Sequence, residues 1–564
     1  MSIFQQQVEG LQFQLRVIAH FNQVSSTPAF SHLDPDLVDM MLSQAARFSR
    51  EALSPLAQRG DSDACRLQDG KVSLPPGTAE TYRQWCELGF PGLSLPMSVD
   101  GLAFPRIIQS AIQELSDAAN LAFGMLAINL RCAALTLLRH ASEELCQRWV
   151  PGLVSGELAS TIVISEPQAG SDVGRIRTAA TPTTDGRWLV SGSKIWISYG
   201  DHDATEQILH LVLARMPGGE TGTRGLGLFA VPKFTQEHAG NGVKVLRLEH
   251  KLGLHASPTC VMEFDAAQGW LVGEPGQGIQ ALFVMMNAMR LAVSVQGSAV
   301  ANTATLQAIA YANERPQGGR PDQKAPMISA HADVRRMLLD MTAQSELLRA
   351  LSLRTAFYLD MGEADEDPAR AQRQQKIGEL LLPVAKTLSA ELAFQVASQG
   401  IQVLGGYGYT RDYPMERLLR DIRVASIYEG TSGIQALDFS KRKLLGDDTA
   451  SLRELLADIR SSLASAGPDN PLSSPLSNSL VLFEETVALV LSAAREDKSS
   501  LDARAYNLLR CCGLLLMGWC GLDLYAACTE NSPYQNRLKD ALALFAWSLE
   551  AETGLWARKC LQPQ

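Results

Sequence analysis

The sequence of 564 residues has no uninterrupted run of about 18 apolar residues, the length that a membrane-spanning helix requires. Its most apolar stretch, residues 511–528, is interrupted by three glycines and by Asp523, and we expect it to form a buried pair of helices. Residues 1–23 lack the basic start and the continuous apolar core of a secretory signal. The sequence therefore predicts a protein with no membrane span and no secretory signal.

Ligand spacing for a metal ion is also missing. The ten cysteines are scattered, only Cys511 and Cys512 lie close together, and the nine histidines form no His-x-x-x-His pair. Scattered cysteines of this kind are typical of reduced, mostly buried thiols in a reducing compartment. We therefore expect no metal site, no disulfide framework and a cytoplasmic location.

Basic residues are not in excess. Lysine and arginine number 50 against 60 acidic residues, which gives a net charge of −10, and the tail from Gly446 onward carries 15 acids and 10 bases. An acidic surface repels nucleic acid unless it contains a local basic patch, so no nucleic-acid partner is expected. With 46% hydrophobic and 20% charged residues, the composition is that of an ordinary globular protein.

The order of the predicted elements is helices, then strands, then helices again, an α+β arrangement around a central antiparallel β domain. Short strands at close spacing, with a hairpin turn at Asp185-Gly186, predict a small sandwich or barrel. The predicted domains are an N-terminal helical domain (1–155), a central β domain (156–277), a helical bundle (278–445) and a C-terminal helical extension (446–564). A polar stretch rich in Ser, Pro and Gly, residues 461–479, is predicted to be a linker within that extension.

One acidic residue, Glu429, lies between an apolar approach and a Gly-Thr-Ser-Gly turn. We expect Ile422, Val424 and Ile427 to pack inward and to carry Tyr428 and Glu429 into a poorly hydrated place. Burial disfavours a charged carboxylate and raises its pKa, which suits a proton acceptor near neutral pH. The alternative, left open by these residues alone, is a solvated loop glutamate.

Two other stretches indicate a ligand site. Residues 164–172 form a strand-breaking loop whose backbone N–H groups and the hydroxyls of Ser165 and Ser171 suit phosphate and heteroaromatic acceptors. On the following strand Trp196 and Ser198 are expected to share one face, because strand side chains alternate. An indole and a hydroxyl on one face suit the wall of a flavin site, and the alternative is a core tryptophan.

Arg290 is a lone cation in an apolar helical pattern, so it needs a partner. The residues alone leave open an internal salt bridge or a ligand contact.

Two octapeptides, residues 402–409 and 428–435, resemble the signatures of the acyl-CoA dehydrogenases, and the match extends over about residues 35–445. The resemblance implies that Glu429 is the catalytic base, which removes the α-proton of an acyl-CoA thioester while the flavin N5 of FAD accepts the β-hydride, giving a trans-2-enoyl-CoA. The thioester oxygen would accept hydrogen bonds from the Glu429 backbone N–H and a ribityl hydroxyl of the flavin.

The resemblance also assigns the other site residues. The cofactor-binding residues that it implies are Ile164, Ser165, Ser171, Trp196, Ile197, Ser198, Arg315, Gln402, Gly405, Gly406 and Thr431. The substrate-binding residues that it implies are Ser171, Arg290, Tyr428 and Gly430. Three departures from the family pattern are the doubtful flavin contact Gln317, the altered loop residue Gln168, and Gly433, where many relatives have glutamine.

The family resemblance further implies an electron-transferring flavoprotein as electron acceptor and a homo-oligomer, most simply a homodimer in which Arg315 reaches the FAD of the neighbouring subunit. The leader, residues 1–34, and the helical tail, residues 446–564, indicate the long subgroup of the family. We expect the tail to cover the surface that shorter relatives use to form tetramers. Two alternatives remain from sequence: an acyl-CoA oxidase on the same fold, and a flavin-bearing binding protein that is not a dehydrogenase.

Overall fold

The computed structural model describes residues 2–235, 237–497 and 499–562, which contain 17 α-helices and nine β-strands. The chain forms two compact units that are not simple halves of the sequence. The helical unit comprises Met1–Arg47, Pro105–Ala118 and Arg290–Gln564, and the sheet unit comprises Phe48–Phe104 and Ala119–Met289.

The helices are, in chain order, α1 (Ile3–Val17), α2 (Phe21–Ser25), α3 (Pro35–Phe48), α4 (Ser54–Asp63), α5 (Thr78–Glu87), α6 (Arg106–Ala119), α7 (Leu121–His140), α8 (Glu143–Ser155), α9 (Gly278–Glu314), α10 (Ala332–Ala364), α11 (Pro368–Leu404), α12 (Met415–Ile422), α13 (Ser432–Leu437), α14 (Ala450–Ala466), α15 (Ser473–Glu496), α16 (Ser499–Ala527) and α17 (Pro533–Leu561). They lie before and after the long strands, as the predicted order of helices, strands and helices requires.

One of the longest helices, α11, begins where local chemistry favours a helix start. The side chain of Asp367 accepts hydrogen bonds from the backbone N–H groups of Ala369, at 2.9 Å, and Arg370, at 3.2 Å, and Pro368 occupies the first helical position of α11. The preceding helix, α10, ends at Ala364, so residues 365–367 alone separate it from α11.

A buried charge cluster fixes the interior of the helical unit. The Arg349 guanidinium on α10 donates to Glu114 of α6 at 2.6 Å and to Glu346 at 2.8 Å, and the arginine is only 1% exposed. Glu346 also accepts hydrogen bonds from Gln14 of α1, at 2.8 Å, and from Tyr534 of α17, at 3.0 Å. The first and last long helices of the chain are therefore joined to one buried ion network.

The tail differs from the sequence prediction in two places. The expected linker at 461–479 is wrong, because α14 runs to Ala466 and α15 begins at Ser473. The expected pair of helices at 511–528 is also wrong, because α16 is one continuous helix. Its glycines mark close packing instead: a Cβ at Gly513 would lie 2.3 Å from Leu388 of α11.

The tail packs into the helical unit as expected for its apolar residues. α16 and α17 both contact α10, and six large apolar residues of α16 are buried, namely Leu508, Leu509, Leu514, Leu515, Leu516 and Trp519. The Trp519 ring lies 3.7 Å from the Arg354 guanidinium and donates its indole N–H to Ser462 at 2.8 Å. These contacts give the tail a structural role.

The strands are β1 (Arg66–Gln68), β2 (Lys71–Ser73), β3 (Leu158–Val163), β4 (Ala179–Pro182), β5 (Trp188–Ser198), β6 (Gln207–Arg215), β7 (Leu226–Pro232), β8 (Val243–Leu248) and β9 (Thr259–Val272). β1 and β2 form a hairpin, and the other seven form one sheet. In that sheet β4, β5, β9, β7 and β6 pair in succession, and a single bridge between β6 and β4 closes the ring. Of the predicted sandwich or barrel, the structure shows the barrel.

The expectation of a purely antiparallel sheet needs a correction. β3 pairs with β6 in parallel over six residues, from Leu158 opposite Gln207 to Val163 opposite Val212. The alternating pattern of β3 could not reveal this, because strand direction depends on how the long connection returns. The β4–β5 hairpin at Asp185-Gly186 is antiparallel, as its turn residues predict.

Among the residues that the structure describes, five helices are long and apolar enough to cross a membrane by length and composition: α7, α9, α11 with its extension to Tyr409, α15 and α16. The sequence expectation of no membrane span rested on the absence of an uninterrupted apolar run. Polar residues and glycines interrupt these helices, but their mean hydropathy stays high. In α7, α11 and α16 between 78% and 89% of the most apolar window is buried inside the protein, against 39% in α15. Burial within the fold accounts for the apolar character of α7, α11 and α16.

Candidate functional site

The segment around Glu429 is a left-handed turn in the helical unit. Glu429 has φ 54° and Gly430 has φ 91°, and Thr431 then caps α13 by accepting a hydrogen bond from the Ile434 N–H at 3.3 Å. A Cβ at position 430 would lie 2.7 Å from the Gln435 side chain, so glycine is required there. A non-glycine residue at positive φ, such as Glu429, is uncommon and marks a constrained turn.

Two buried side chains hold the backbone of this turn. The Gln435 amide donates to the Glu429 carbonyl at 2.8 Å, and the Lys386 ammonium on α11 donates to the Gly430 carbonyl at 2.7 Å. Both side chains belong to residues with no exposed surface. Sequence reasoning missed both residues, although Lys386 gave the same signal as Arg290: a lone cation in an apolar helical pattern.

The electrostatic setting of Glu429 agrees with the predicted proton acceptor. Burial raises the pKa of the Glu429 carboxyl, whereas the positive charges of Lys386 and Arg290 act to lower it. Burial also lowers the pKa of Lys386 to about 7, against the opposing effect of Glu429. A half-buried carboxylate with a raised pKa is suited to accept a proton near neutral pH.

Arg290 has the internal partner that the apolar helix requires. Its guanidinium contacts the Asp438 carboxylate at 2.5 Å, and both side chains are at most 5% exposed. Asp438 begins a π-helical segment, Asp438–Leu444, directly after α13. The internal salt bridge is therefore present, and Arg290 acts on Glu429 through its charge.

The approach to the turn is less inward-facing than predicted. Ile422 is fully buried and Val424 is half-buried, but Ile427 is 54% exposed, so its predicted inward packing is wrong. A short 3-10 helix, Arg423–Ser426, rotates the chain and places Ile427 outside. The Tyr428 hydroxyl donates to Gln296 of α9, which fixes the tyrosine ring.

A second cluster of predicted residues lines one open cavity of about 460 Å³ in the helical unit. Its lining residues are Tyr311, Arg315, Gln317, Ile328, Val403, Leu404, Gly405, Gly406, Tyr407 and Thr410. Cβ atoms built at Gly405 and Gly406 would meet nothing within 4 Å, and Gly405 has φ 61°. The structure thus brings Arg315 together with both glycines, whereas Gln402 is exposed and outside this lining.

This cavity fits the pyrophosphate and adenosine of a dinucleotide. Arg315 offers a permanent cation, the two glycines leave their backbone open to a ligand, and the Tyr407 ring, whose centroid lies 6.0 Å from the arginine, is 49% exposed. A cation suits phosphate oxygens and an exposed ring suits a heteroaromatic base.

In the sheet unit a buried ion pair holds the loop at 164–172. The Lys194 ammonium lies 3.0 Å from Glu166 and donates to the Ile164 carbonyl at 2.8 Å. Burial alone would raise the pKa of Glu166, but Lys194 and two backbone N–H groups lower it to about 2. Sequence reasoning did not assign this pair, although both residues lie inside the motifs that it selected.

The hydroxyl-bearing residues of this loop remain accessible. Ser171 is exposed, Ile164 and Ser165 are half-buried, and the Ser165 carbonyl accepts a hydrogen bond from the Ile195 N–H at 2.9 Å. The loop is therefore attached to β5 through its backbone, while its hydroxyls are left for a ligand.

The Trp196–Ser198 segment is not a regular strand. The register of β5 against β9 shifts between Lys194 and Ile197, and Trp196 has φ 64°. The simple alternation behind the predicted shared face is therefore broken by a β-bulge, which re-aims a side chain. Trp196 is 58% exposed, Ile197 is buried and Ser198 is half-buried, so the indole is not a core tryptophan.

Comparison with known proteins connects these features. Sequence models for the N-terminal, middle and C-terminal domains of acyl-CoA dehydrogenases match residues 36–157, 161–267 and 276–444. The chain is also 36% identical over 540 residues, 93% of this chain and 92% of the relative, to 3-methylmercaptopropionyl-CoA dehydrogenase of Ruegeria pomeroyi. The chain belongs to the acyl-CoA dehydrogenase family.

Other relatives are similar over the full length as well. The broad-specificity linear acyl-CoA dehydrogenase FadE5 of Mycobacterium tuberculosis is 32% identical, with 95% of this chain and 94% of the relative covered. Among solved structures, ACDH-11 of Caenorhabditis elegans in complex with C11-CoA has a TM-score of 0.78 at 21% identity, covering 96% of this chain and 90% of that one. An acyl-CoA dehydrogenase of Bacillus anthracis complexed with FAD has a TM-score of 0.76 at 20% identity, covering 95% and 89%.

The family assignment confirms the predicted enzyme class, fold and cofactor. This acyl-CoA dehydrogenase is an FAD-dependent oxidoreductase that acts on acyl-CoA, and it has the long form with a C-terminal helical extension.

Proposed function

We propose that Glu429 is the base that removes the α-proton of an acyl-CoA thioester, giving a trans-2-enoyl-CoA. The observation that supports this role is the constrained turn at Glu429. It combines a carboxylate whose pKa burial raises, two nearby cations and two buried donors that fix the adjacent carbonyls. Such a group has both the basicity and the fixed position that proton abstraction needs.

The family's cofactor enters at defined residues. In the helical unit we assign FAD contacts to Arg315, Gln402, Gly405, Gly406 and Thr431, of which Arg315 and the two glycines share the open cavity. In the sheet unit the assigned contacts are Ile164, Ser165, Ser171, Trp196, Ile197 and Ser198. FAD, when bound, supplies the acceptor for the hydride that leaves the β-carbon.

The substrate contacts follow the same turn. We assign the backbone N–H of Glu429 to the thioester oxygen, where a donor stabilises the negative charge that develops as the α-proton leaves. Tyr428, Gly430 and Ser171 are assigned to the acyl-CoA. Arg290 is assigned there too, and since Asp438 already binds its guanidinium, its effect on the substrate is that of a nearby positive charge.

The acyl group is open to a direct test. We expect anaerobic mixing with butyryl-CoA, octanoyl-CoA, palmitoyl-CoA or 3-methylmercaptopropionyl-CoA to bleach the flavin with at least one of them, and the acyl product to weigh two hydrogens less. The thioether substrate is included because a relative with 36% identity carries that name. A flavin that none of these thioesters bleaches would contradict the proposal.

For the reoxidation step we propose an electron-transferring flavoprotein as the acceptor. The family resemblance of the motifs at 402–409 and 428–435 supports this acceptor. The alternative of an oxidase is separated by measuring peroxide during turnover in air. Peroxide formed at the rate of substrate consumption would favour the oxidase.

We predict one FAD per chain in a cytoplasmic homodimer, with Arg315 binding the FAD of the partner. Arg315→Leu removes a charged donor from the cavity at Gly405 and Gly406, and is expected to weaken FAD binding by about 10-fold or more. FAD retention during gel filtration measures the effect, and Arg411→Leu, at an exposed position outside the cavity lining, serves as control. Unchanged FAD affinity in Arg315→Leu would move the cofactor contact elsewhere.

We also predict that the tail prevents assembly beyond the dimer. Deleting residues 447–564 removes α14–α17 and uncovers the apolar surfaces of α10 and α11 that they contact. Exposed apolar surface of this size is expected to cause aggregation or a larger oligomer, measured by analytical ultracentrifugation. A truncated protein that stays a soluble dimer of unchanged thermal stability would contradict the prediction.

A further inference from the structure

We propose that Lys386 is a positioning residue for Glu429: its ammonium group holds the Gly430 carbonyl, and its charge stabilises the ionised carboxylate on the neighbouring residue. The inference rests on the proposed role of Glu429 as base and adds a residue that acts on it from α11. Lys386 is assigned no contact with substrate or cofactor.

The geometry supports a specific function for this lysine. A fully buried lysine is unfavourable unless its ammonium group has acceptors, and Lys386 directs its ammonium to the Gly430 carbonyl at 2.7 Å. Gly430 adopts φ 91°, and Glu429 before it adopts φ 54°. The lysine therefore binds the backbone of a turn in which two consecutive residues are left-handed.

Gln435 also holds the backbone of this turn, but without a charge. Its amide donates to the Glu429 carbonyl at 2.8 Å, one peptide unit before the carbonyl that Lys386 binds. The two side chains hold adjacent carbonyls, but only Lys386 carries a charge. This difference provides a control within the same turn.

Several helices packed around the turn contribute charged groups. Glu429 experiences Lys386 from α11 and Arg290 from α9. Arg290 is paired with Asp438, which also contacts Arg442 at 3.1 Å. On the far side Lys386 senses Glu391 of its own helix, and Glu391 is bound to Arg510 at 2.8 Å.

A further acidic group, Asp117 of α6, acts on Tyr428. Arg290 is paired with Asp438, and Glu391 is paired with Arg510. Lys386 is therefore the cation whose removal changes the electrostatic potential at Glu429 most directly. Without it, ionisation of Glu429 becomes less favourable.

The decisive experiment compares the pH profile of flavin bleaching in wild-type enzyme, Lys386→Met and Gln435→Met, with the acyl-CoA of the panel above that wild type oxidises fastest. Methionine matches the length of lysine and glutamine without a charge or a donor, so both variants are expected to fold. In Lys386→Met we expect the acid limb of the profile to move to higher pH by about one unit, because an opposite charge near the carboxylate is lost. In Gln435→Met the rate should fall by about 10-fold with the acid limb unmoved, since the turn is loosened without a change of charge.

Two further variants keep the roles distinct. Lys386→Arg retains charge and donor and is expected to restore the acid limb to the wild-type position. Glu429→Gln in the same assay tests the base itself: if it bleaches normally, the proposed function fails, whatever Lys386 does. An unmoved acid limb in Lys386→Met, or an equal shift in Gln435→Met, would overturn the inference and leave the proposed function standing.

A second readout does not depend on turnover. The Lys386 pKa is lowered to about 7 from 10.5, so the unfolded protein binds more protons than the folded protein between these pH values. This lysine therefore makes wild type more stable as pH rises from about 7 to 10.5, and its contribution is constant below about 7. The Tm of Lys386→Met relative to wild type should be highest near pH 7 and should decline toward pH 10.

Discussion

Replacing Glu429 by glutamine is expected to reduce flavin bleaching by acyl-CoA at least about 100-fold, because a positioned base contributes that much to a proton transfer. The amide keeps the shape of the side chain and loses its basicity. The backbone contacts of the turn, from Lys386 and Gln435, do not involve the carboxylate and are retained. Stopped-flow absorbance measures the rate, and equilibrium dialysis with the same acyl-CoA should show that binding is kept.

The matched control is Glu416→Gln. Glu416 lies on α12, in the same stretch of chain, and forms an i,i+4 pair with Arg420 at 2.6 Å. Its loss should change the bleaching rate by less than about twofold, since Glu416 is paired with Arg420 on α12 and does not belong to the turn at 429–431. Near-normal bleaching by Glu429→Gln would place the base on another residue.

The raised pKa of Glu429 gives the pH dependence its sign. Burial favours the protonated carboxyl, which cannot accept a proton, so the bleaching rate should fall as pH is lowered through the folded pKa. The ordinary pKa of a glutamate is 4.5, and the pKa of Glu429 in the folded protein is higher. As pH rises from 4.5 through the folded pKa, the folded protein becomes less stable, because Glu429 keeps its proton to higher pH in the folded state than in the unfolded state.

The largest loss of stability is expected from Arg349→Leu. Arg349 neutralises Glu114 and Glu346 at 2.6 and 2.8 Å in a site where it is only 1% exposed. Removing the cation leaves two buried carboxylates without their charge partner, which destabilises a protein by about 3–5 kcal/mol. Urea unfolding followed by tryptophan fluorescence measures the change in the free energy of unfolding. The substitution affects both ends of the chain, because Gln14 and Tyr534 bind Glu346.

Arg336→Leu is the control on the same helix. Arg336 pairs with Asp333 and Asp340 at 2.8 and 2.9 Å, but it is 53% exposed, so its loss should change stability by less than about 1 kcal/mol. Replacing Glu114, Glu346 and Arg349 together by leucine or methionine removes the unpaired charges, and should recover most of the stability lost in Arg349→Leu. Equal effects of Arg349→Leu and Arg336→Leu would contradict the importance of the buried network.

Local sequence was a good guide wherever one segment decides its own structure. The Asp185-Gly186 turn lies where the sequence predicts it, and the order of helices, strands and helices again is the predicted one. Caps, tight turns and helical faces depend on neighbours a few residues apart, so they are legible in a single sequence. The tail linker was mispredicted because Ser and Pro residues that favour loops are tolerated within α14 and α15 once their apolar faces pack.

The candidate site shows where local reasoning stopped. The octapeptide around Glu429 identified the acid and its glycine turn, and burial of the carboxyl was expected from the apolar approach. The side chains that hold the turn come from residues 43 and 6 positions away in sequence, Lys386 and Gln435 relative to Glu429. The bulge at Trp196 likewise depends on how β5 pairs with β9, which no pattern within β5 records.

By itself the sequence determined the family, the enzyme class and cofactor that follow from it, the α+β order of elements and the acid to test, because these are carried by contiguous motifs. Only the tertiary structure decided the closure of the sheet, the union of leader and tail at Glu346, and the partners of Glu429 and Arg290. These features are pairings between distant segments. Their energies come from burial and charge that exist only once the chain has folded, so a local pattern can indicate that a buried cation needs a partner and cannot say which residue provides it.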